Sequence, residues 1–203
     1  MLSFFMPDKK CVILIDGSNV FHSSKRAGKP KCVWPPELDK LLLPKVKGPI
    51  NPICKIHWFG AADEKNASQE RFLNHIEKSG VIVHRYRLKE YLDPNPCLTC
   101  NDVCAACGRD LTKSPHREKM VDIAIATTLI ELAHEPPPNE YDVFIVVGGD
   151  KDHIPAIQYI REKLGKEVYI AGFRDARDLI KNSVAFELDN EIDGLINLYE
   201  IYR

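Results

Sequence analysis

Two stretches rich in valine and isoleucine constrain the fold of this chain more than any other feature. They are Cys11–Ile15 and Tyr141–Val147. Stretches that do not alternate between apolar and polar residues are typical of strands buried on both faces, as in a parallel sheet. Each stretch ends in a short acidic turn, Asp16–Asn19 after the first and Gly148–Asp150 after the second. We therefore expect a parallel sheet that is covered on both sides.

Further strand and helix patterns alternate along the chain. The weaker strand patterns are Ile53–Phe59, Val81–Tyr86, Glu167–Ala171 and Val184–Leu188. The helical patterns are Glu37–Leu43, Ala67–Ser79, Glu118–His134, Ile154–Leu164, Ala176–Asn182 and Glu191–Tyr199. The segment Arg26–Pro52, rich in proline and lysine, is predicted to be a long connection. This alternation predicts right-handed βαβ units and hence a three-layer α/β domain.

Size and charge narrow the class of protein. The 203 residues, 44% of them hydrophobic, fit a single domain over residues 1–203. The net charge of −1 excludes a global electrostatic attraction to nucleic acid, yet residues 1–60 carry 10 Lys/Arg against 4 Asp/Glu.

The charged residues near the start of the chain disfavour a signal peptide, and apolar runs stay below about 18 residues. We therefore expect a soluble cytoplasmic protein with no membrane segment, in which cysteines are thiols or metal ligands.

Three aspartates stand where the two buried strands end. Asp16 and Asp150 follow those strands directly, and Asp152 lies two residues further on, where a helix begins. Ligands of an open parallel sheet bind beyond the carboxyl ends of its strands, so these carboxylates are expected to converge. The alternative for each of them is a structural role as a helix N-cap.

Asp122 is the only carboxylate in the first two turns of the apolar helix pattern Met120–Ala133. A buried carboxylate is costly unless it is paired, capped or bound to a metal, although a first-turn acid can also complement the helix dipole. Clustered carboxylates favour Mg²⁺ or Mn²⁺. Such an ion activates water and neutralises charge on a phosphodiester. Ser18 and Asn19 could hold a phosphate or the attacking water by hydrogen bonds.

Three segments in this order resemble the NYN domain, a PIN-like nuclease family, and its LabA-like branch in particular. They are Ile13–Phe21, Glu118–Asp122 and Val146–Pro155, and the similarity extends to Gly165–Val168. The resemblance implies a PIN-like (Rossmann-like) fold, dependence on Mg²⁺ or Mn²⁺, and endoribonuclease activity. It assigns metal-site and catalytic roles to Asp16, Asp122, Asp150 and Asp152, with Asn19 beside them.

The chain also departs from the pattern of that family. Thr127 and Thr128 stand where members often have an aspartate, and Gly148–Asp150 replaces the common Ser-Gly-Asp. His153 replaces an aromatic residue, and it could assist proton transfer or be structural. Ser183 stands near the place of a late acidic residue. These departures keep open an alternative, namely a catalytically weak nucleic-acid-binding or regulatory module on the same fold.

A second class of metal site is predicted in an insertion, Asp93–Pro115. It contains four cysteines within eleven residues, namely Cys97, Cys100, Cys104 and Cys107. Paired CxxC motifs are typical of a structural Zn²⁺ site, and the spacing does not match a simple ferredoxin-like cluster. One pair could instead recruit His84, His116 or another chain. Because the insertion leaves the Val81 strand and returns before Asp122, it is expected beside the acidic crevice.

Basic residues after Asn19 indicate a substrate contact. They are Lys25, Arg26, Lys29 and Lys31, and Trp34 follows closely. A basic loop with an aromatic residue could follow an RNA backbone and stack a base, although a solvated loop is the alternative. A haloacid-dehalogenase-like phosphatase is disfavoured, because Ser18 stands where that chemistry needs a second aspartate. The sequence thus predicts a metal-dependent nuclease with RNA as the favoured substrate.

Overall fold

The computed structural model describes residues 8–28, 34–62, 66–87, 89–90, 116–117, 120–175 and 182–202. Eight strands occur in these residues: β1 Cys11–Asp16, β2 Lys55–Ala62, β3 Ile82–Arg87, β4 Lys89–Glu90, β5 His116–Arg117, β6 Val143–Val147, β7 Glu167–Gly172 and β8 Gly194–Asn197. The α-helices are α1 Gly17–Arg26, α2 Leu38–Leu42, α3 Ala67–Lys78, α4 Val121–Ala133, α5 Ile154–Gln158 and α6 Leu198–Ile201. A π-helical turn, Tyr159–Lys163, extends α5.

Six strands form one parallel sheet in the order β3-β2-β1-β6-β7-β8. This is the doubly wound order, in which the chain reverses direction across the sheet between its first and fourth strands. The reversal here lies between β1 and β6, where Ile15 pairs with Val147 near the carboxyl ends of both strands. The crevice at that point is where ligands of such sheets bind. The predicted α/β fold is confirmed.

Hydrophobic cores lie on both faces of the sheet, because successive residues of a buried strand point to opposite sides. On one face, Ile13 and Ile15 of β1 pack in a cluster with residues of α1, α2 and α3. On the other face, Val12 and Leu14 pack in a cluster with residues of α4 and α5. The three predicted layers are therefore present.

The predictions for the carboxyl-terminal part were wrong in two places. Val184–Leu188 is not a strand, since Phe186–Asn190 forms a 3-10 helix instead. The sixth strand of the sheet is β8, which lies within the segment Glu191–Tyr199 that was predicted to be a helix. Pairing with β7 outweighs the helical pattern there. Asp193 supports this pairing, because it accepts a 2.8 Å hydrogen bond from the backbone of Val168 in β7.

The flanks of the predicted zinc insertion lie side by side. β4 pairs antiparallel with β5, so the chain leaves and re-enters the domain at adjacent points. The four cysteines themselves lie outside the described residues, as do residues 176–181 of a predicted helix. Among the described helices, none is long and apolar enough to cross a membrane.

Candidate metal centre

Asp16 is the last residue of β1 and the N-cap of α1, and its carboxylate belongs to the candidate centre. Its side chain is 4% exposed. Its Oδ1 accepts hydrogen bonds from the Asn19 backbone N–H at 2.9 Å and from Ser18 Oγ at 3.2 Å. The following residue must be glycine, because a Cβ on Gly17 would lie 2.5 Å from the Trp58 ring. The N-cap interpretation of Asp16 is confirmed, and the capped carboxylate still lines the crevice.

Asp150 follows β6 on the opposite side of the reversal point. Its Oδ1 accepts a 3.0 Å hydrogen bond from the backbone N–H of Asp152 and caps the 3-10 turn Lys151–His153. Gly149 precedes it where the chain is tightly packed, since a Cβ there would lie 2.1 Å from the carbonyl oxygen of Ser183. Close backbone packing, and not chemistry, thus requires a glycine at this position.

Asp122 reaches the same crevice from the first turn of α4. The helix begins abruptly after Met120, whose φ of 77° is left-handed. Although the Asp122 side chain is exposed, its pKa is raised from the ordinary value, first by loss of hydration and then by the charges of Asp16 and Asp150. A carboxyl held near like charges favours a proton or a cation.

His153 was not among the predicted metal ligands, but the structure places it at the centre. Ligand atoms of Asp16, Asp122 and His153 all lie within 4.8 Å of one another. The His153 side chain is 1% exposed, and neither ring nitrogen has a hydrogen-bond partner among the described residues. A buried, unpartnered imidazole beside two carboxylates is a donor set that fits a divalent cation.

The three aspartates Asp16, Asp122 and Asp150 line a cavity of about 260 Å³. Its lining residues are Asp16, Ser18, Asn19, His22, Val121, Asp122 and Asp150. A larger cavity of about 430 Å³ is lined by residues between Asp39 and Pro52. That segment lies beside Lys9, at the amino end of β1, and therefore away from the aspartates.

The other predicted site residues occupy different positions. Asp152 has an exposed side chain and does not line the cavity, although its charge contributes to the raised pKa of Asp122. Lys25 and Arg26 were expected in a loop, but they form the last turn of α1, where they complement the helix dipole. Both are exposed. Lys29 and Lys31 lie outside the described residues.

Comparisons with known proteins give a family match for this chain and one solved structure with a similar fold. The family model described as NYN domain matches residues 10–196. No curated protein matches the sequence. The fold resembles a protein of unknown function from Vibrio parahaemolyticus at 18% identity and a TM-score of 0.56, covering 94% of this chain and 93% of that one. A second similar structure, the CheB methylesterase catalytic domain of Thermotoga maritima, has 14% identity, a TM-score of 0.44, and coverage of 97% and 96%. The match over residues 10–196 shows that this chain belongs to the NYN domain family, a family of PIN-like nucleases.

Proposed function

We propose that this protein is a divalent-metal-dependent endonuclease that hydrolyses RNA. The convergence of Asp16, Asp122 and His153 within 4.8 Å carries the proposal. Asp150 lines the same cavity, and Asp152 is retained as a further proposed ligand. The ion would be Mg²⁺ or Mn²⁺. It would supply a water of lowered pKa and neutralise charge that develops on the phosphodiester.

The protein's own groups have distinct tasks in this chemistry. Asp16 and Asp122 would hold the ion from β1 and α4, which pack together in one hydrophobic cluster, so the two carboxylates are positioned before substrate binds. Asn19 and His22 line the cavity and could orient a phosphate oxygen or the attacking water by hydrogen bonds. Substrate binding also requires the cation, because carboxylates without a bound ion repel the negatively charged phosphodiester.

The surface of α1 supports a single-stranded nucleic acid as the substrate, and RNA is the strand that we propose. His22 lines the cavity, and Arg26 lies one turn further on the same helix face. Phe21 is 62% exposed and meets the His22 ring edge to face, with 5.4 Å between centroids. An exposed aromatic side chain beside Lys25 can stack a base while the cation contacts the backbone. We therefore propose α1 as the path along which the strand approaches.

A cleavage assay tests this proposal. Metal-free protein is incubated with generic single-stranded RNA and, separately, with DNA of matched sequence, in Mn²⁺, Mg²⁺ or EDTA. We expect RNA products with metal, none with EDTA, and recovery when metal is restored. Tight, salt-sensitive binding of RNA without any metal-dependent product would instead support the alternative, a catalytically weak binding or regulatory module.

One observation favours that alternative. Ser183, near the place of a late acidic residue in the family, is buried, and its Oγ accepts a 2.9 Å hydrogen bond from the backbone of Phe173. Ser183 therefore has a structural role and adds no carboxylate to the centre. Turnover must then depend on the aspartates that remain.

We also propose a structural Zn²⁺ bound by Cys97, Cys100, Cys104 and Cys107, in a cytoplasmic protein of the LabA-like branch. Pairing of β4 with β5 supports an insertion held at its base. Purified protein should contain about one zinc per chain, because four thiolates saturate a tetrahedral ion. Cys104→Ser combined with Cys107→Ser should remove it. Elemental analysis that finds iron, or no metal, would contradict this assignment.

A further inference from the structure

His153 occupies a buried position that a histidine side chain does not fill without cost. It is 1% exposed, and both ring nitrogens have no hydrogen-bond partner in the part of the chain that is described. A buried polar group without a partner is unfavourable, whereas an apolar side chain of similar size would not be. A ligand that binds the imidazole would remove this penalty.

The imidazole of His153, and not the carboxylate of its neighbour Asp152, lies among the converging ligand atoms. Lys151–His153 forms a single 3-10 turn capped by Asp150. Successive side chains of such a turn point about 120° apart, so a buried His153 can follow an exposed Asp152. Asp152 is instead turned to solvent. The resulting donor set is two carboxylates, from Asp16 and Asp122, and one imidazole nitrogen.

We infer that His153 is a metal ligand that makes this centre select a first-row transition ion, such as Mn²⁺ or Co²⁺, over Mg²⁺. The inference deepens the proposed function and rests on the metal centre proposed there. Mg²⁺ requires oxygen ligands in near-octahedral geometry and keeps much of its water. Imidazole binds transition ions more strongly, with affinity rising from Mn²⁺ to Co²⁺.

The test measures metal binding without RNA, so it is independent of turnover. Protein that carries one zinc per chain, so that the proposed cysteine site cannot take up Co²⁺, is titrated with Mg²⁺, Mn²⁺ and Co²⁺ by calorimetry, by the paramagnetic resonance of free Mn²⁺, and by the visible absorbance of bound Co²⁺. We expect wild type to bind Mn²⁺ and Co²⁺ at least about 10-fold more tightly than Mg²⁺. His153→Phe should weaken Co²⁺ and Mn²⁺ binding by at least about 10-fold and change Mg²⁺ binding much less.

Two further variants keep the result interpretable. His153→Asn offers an oxygen in place of the ring nitrogen, so it should lower Co²⁺ affinity yet retain Mg²⁺ binding, whether or not the Phe variant folds. His75→Asn, at an exposed position on α3, controls for adventitious binding to surface histidines and should change nothing. Circular dichroism in EDTA checks that each variant is folded.

The outcomes separate this inference from the proposed function. Equal wild-type affinities for Mg²⁺ and Mn²⁺, or Co²⁺ binding that survives both His153 substitutions, would overturn the inference even if RNA is cleaved. Selective Mn²⁺ and Co²⁺ binding that depends on His153 would support it even if no RNA is cleaved, and only the nuclease proposal would then fail.

Discussion

Replacing Asp122 with asparagine should change stability in opposite directions with and without a divalent ion. A carboxylate oxygen of Asp122 lies within 4.8 Å of one from Asp16. The pKa of Asp122 is raised by desolvation and by the charges of Asp16 and Asp150, so folding disfavours its ionised form. Asparagine keeps the shape of the side chain and removes that charge.

The size of the effect follows from the separation of the charges. Two unit charges 4.8 Å apart repel by about 0.9 kcal/mol in water and about 3.5 kcal/mol at an effective dielectric constant of about 20. Because Asp122 is exposed, the lower value applies, and Asp150 adds to it. The dipole of α4 offsets about 0.3–1 kcal/mol. The repulsion from Asp16 less the dipole contribution leaves about 0 to 0.6 kcal/mol, and Asp150 adds to it, so we expect Asp122→Asn to be more stable than wild type in chelator by up to about 1 kcal/mol.

A bound divalent ion should make wild type more stable than Asp122→Asn. An ion at 100 times its Kd stabilises wild type by about 2.7 kcal/mol, and a variant that lacks one ligand gains less. Urea unfolding followed by circular dichroism, in EDTA and in Mn²⁺, measures both increments. Asp39→Asn on α2 is the matched control and should keep the wild-type metal increment. If Asp122→Asn shows the wild-type increment as well, Asp122 is not a ligand and the reasoning fails.

Three further changes test other parts of the structure. Gly149→Ala should destabilise the protein by about 1–3 kcal/mol in urea unfolding, because its Cβ would lie 2.1 Å from a carbonyl oxygen. Lys25→Ala with Arg26→Ala should reduce the steepness with which the logarithm of the RNA-binding constant falls against the logarithm of salt concentration, by about 1.4 in the slope. An unchanged slope would exclude α1 from the interface. The pKa of His57 is lowered to about 4 by burial and then by the charges of His84 and Lys55, whereas the side chain in the unfolded protein titrates near 6.5. The unfolded state therefore binds the extra proton first, so stability should fall by up to about 3 kcal/mol as pH drops from 6.5 to 4, and His57→Gln should flatten this dependence.

Patterns in long buried elements predicted the fold, and patterns at the sheet edge did not. β1 and β6 are buried along their whole length, so their sequences are apolar without alternation. β8 has four residues and is mostly half-buried at an edge, so its pattern resembles that of an amphipathic helix. Its pairing with β7 depends on contacts distant in sequence, which local patterns do not contain.

The candidate centre could be predicted in part for a similar physical reason. Asp16 and Asp150 follow buried strands, so their convergence required only the rule for parallel sheets. The role of His153 depends on its burial and its missing hydrogen bonds, and neither can be read from sequence. The histidine in place of an aromatic residue was the only available signal. Lys25 and Arg26 were assigned to a loop because no helix was predicted after Asn19, whereas Gly17–Arg26 forms α1.

Single-turnover cleavage of RNA by Asp16→Asn tests the central claim most directly. Asparagine caps a helix as well as aspartate does, so α1 and the fold should be preserved while the charge in the centre is lost. With saturating RNA and Mn²⁺, wild type and Asp39→Asn should cleave at the same rate, and Asp16→Asn should be slower by at least about 100-fold. Cleavage by a folded Asp16→Asn protein at the wild-type rate would contradict a metal-dependent nuclease centred on this carboxylate.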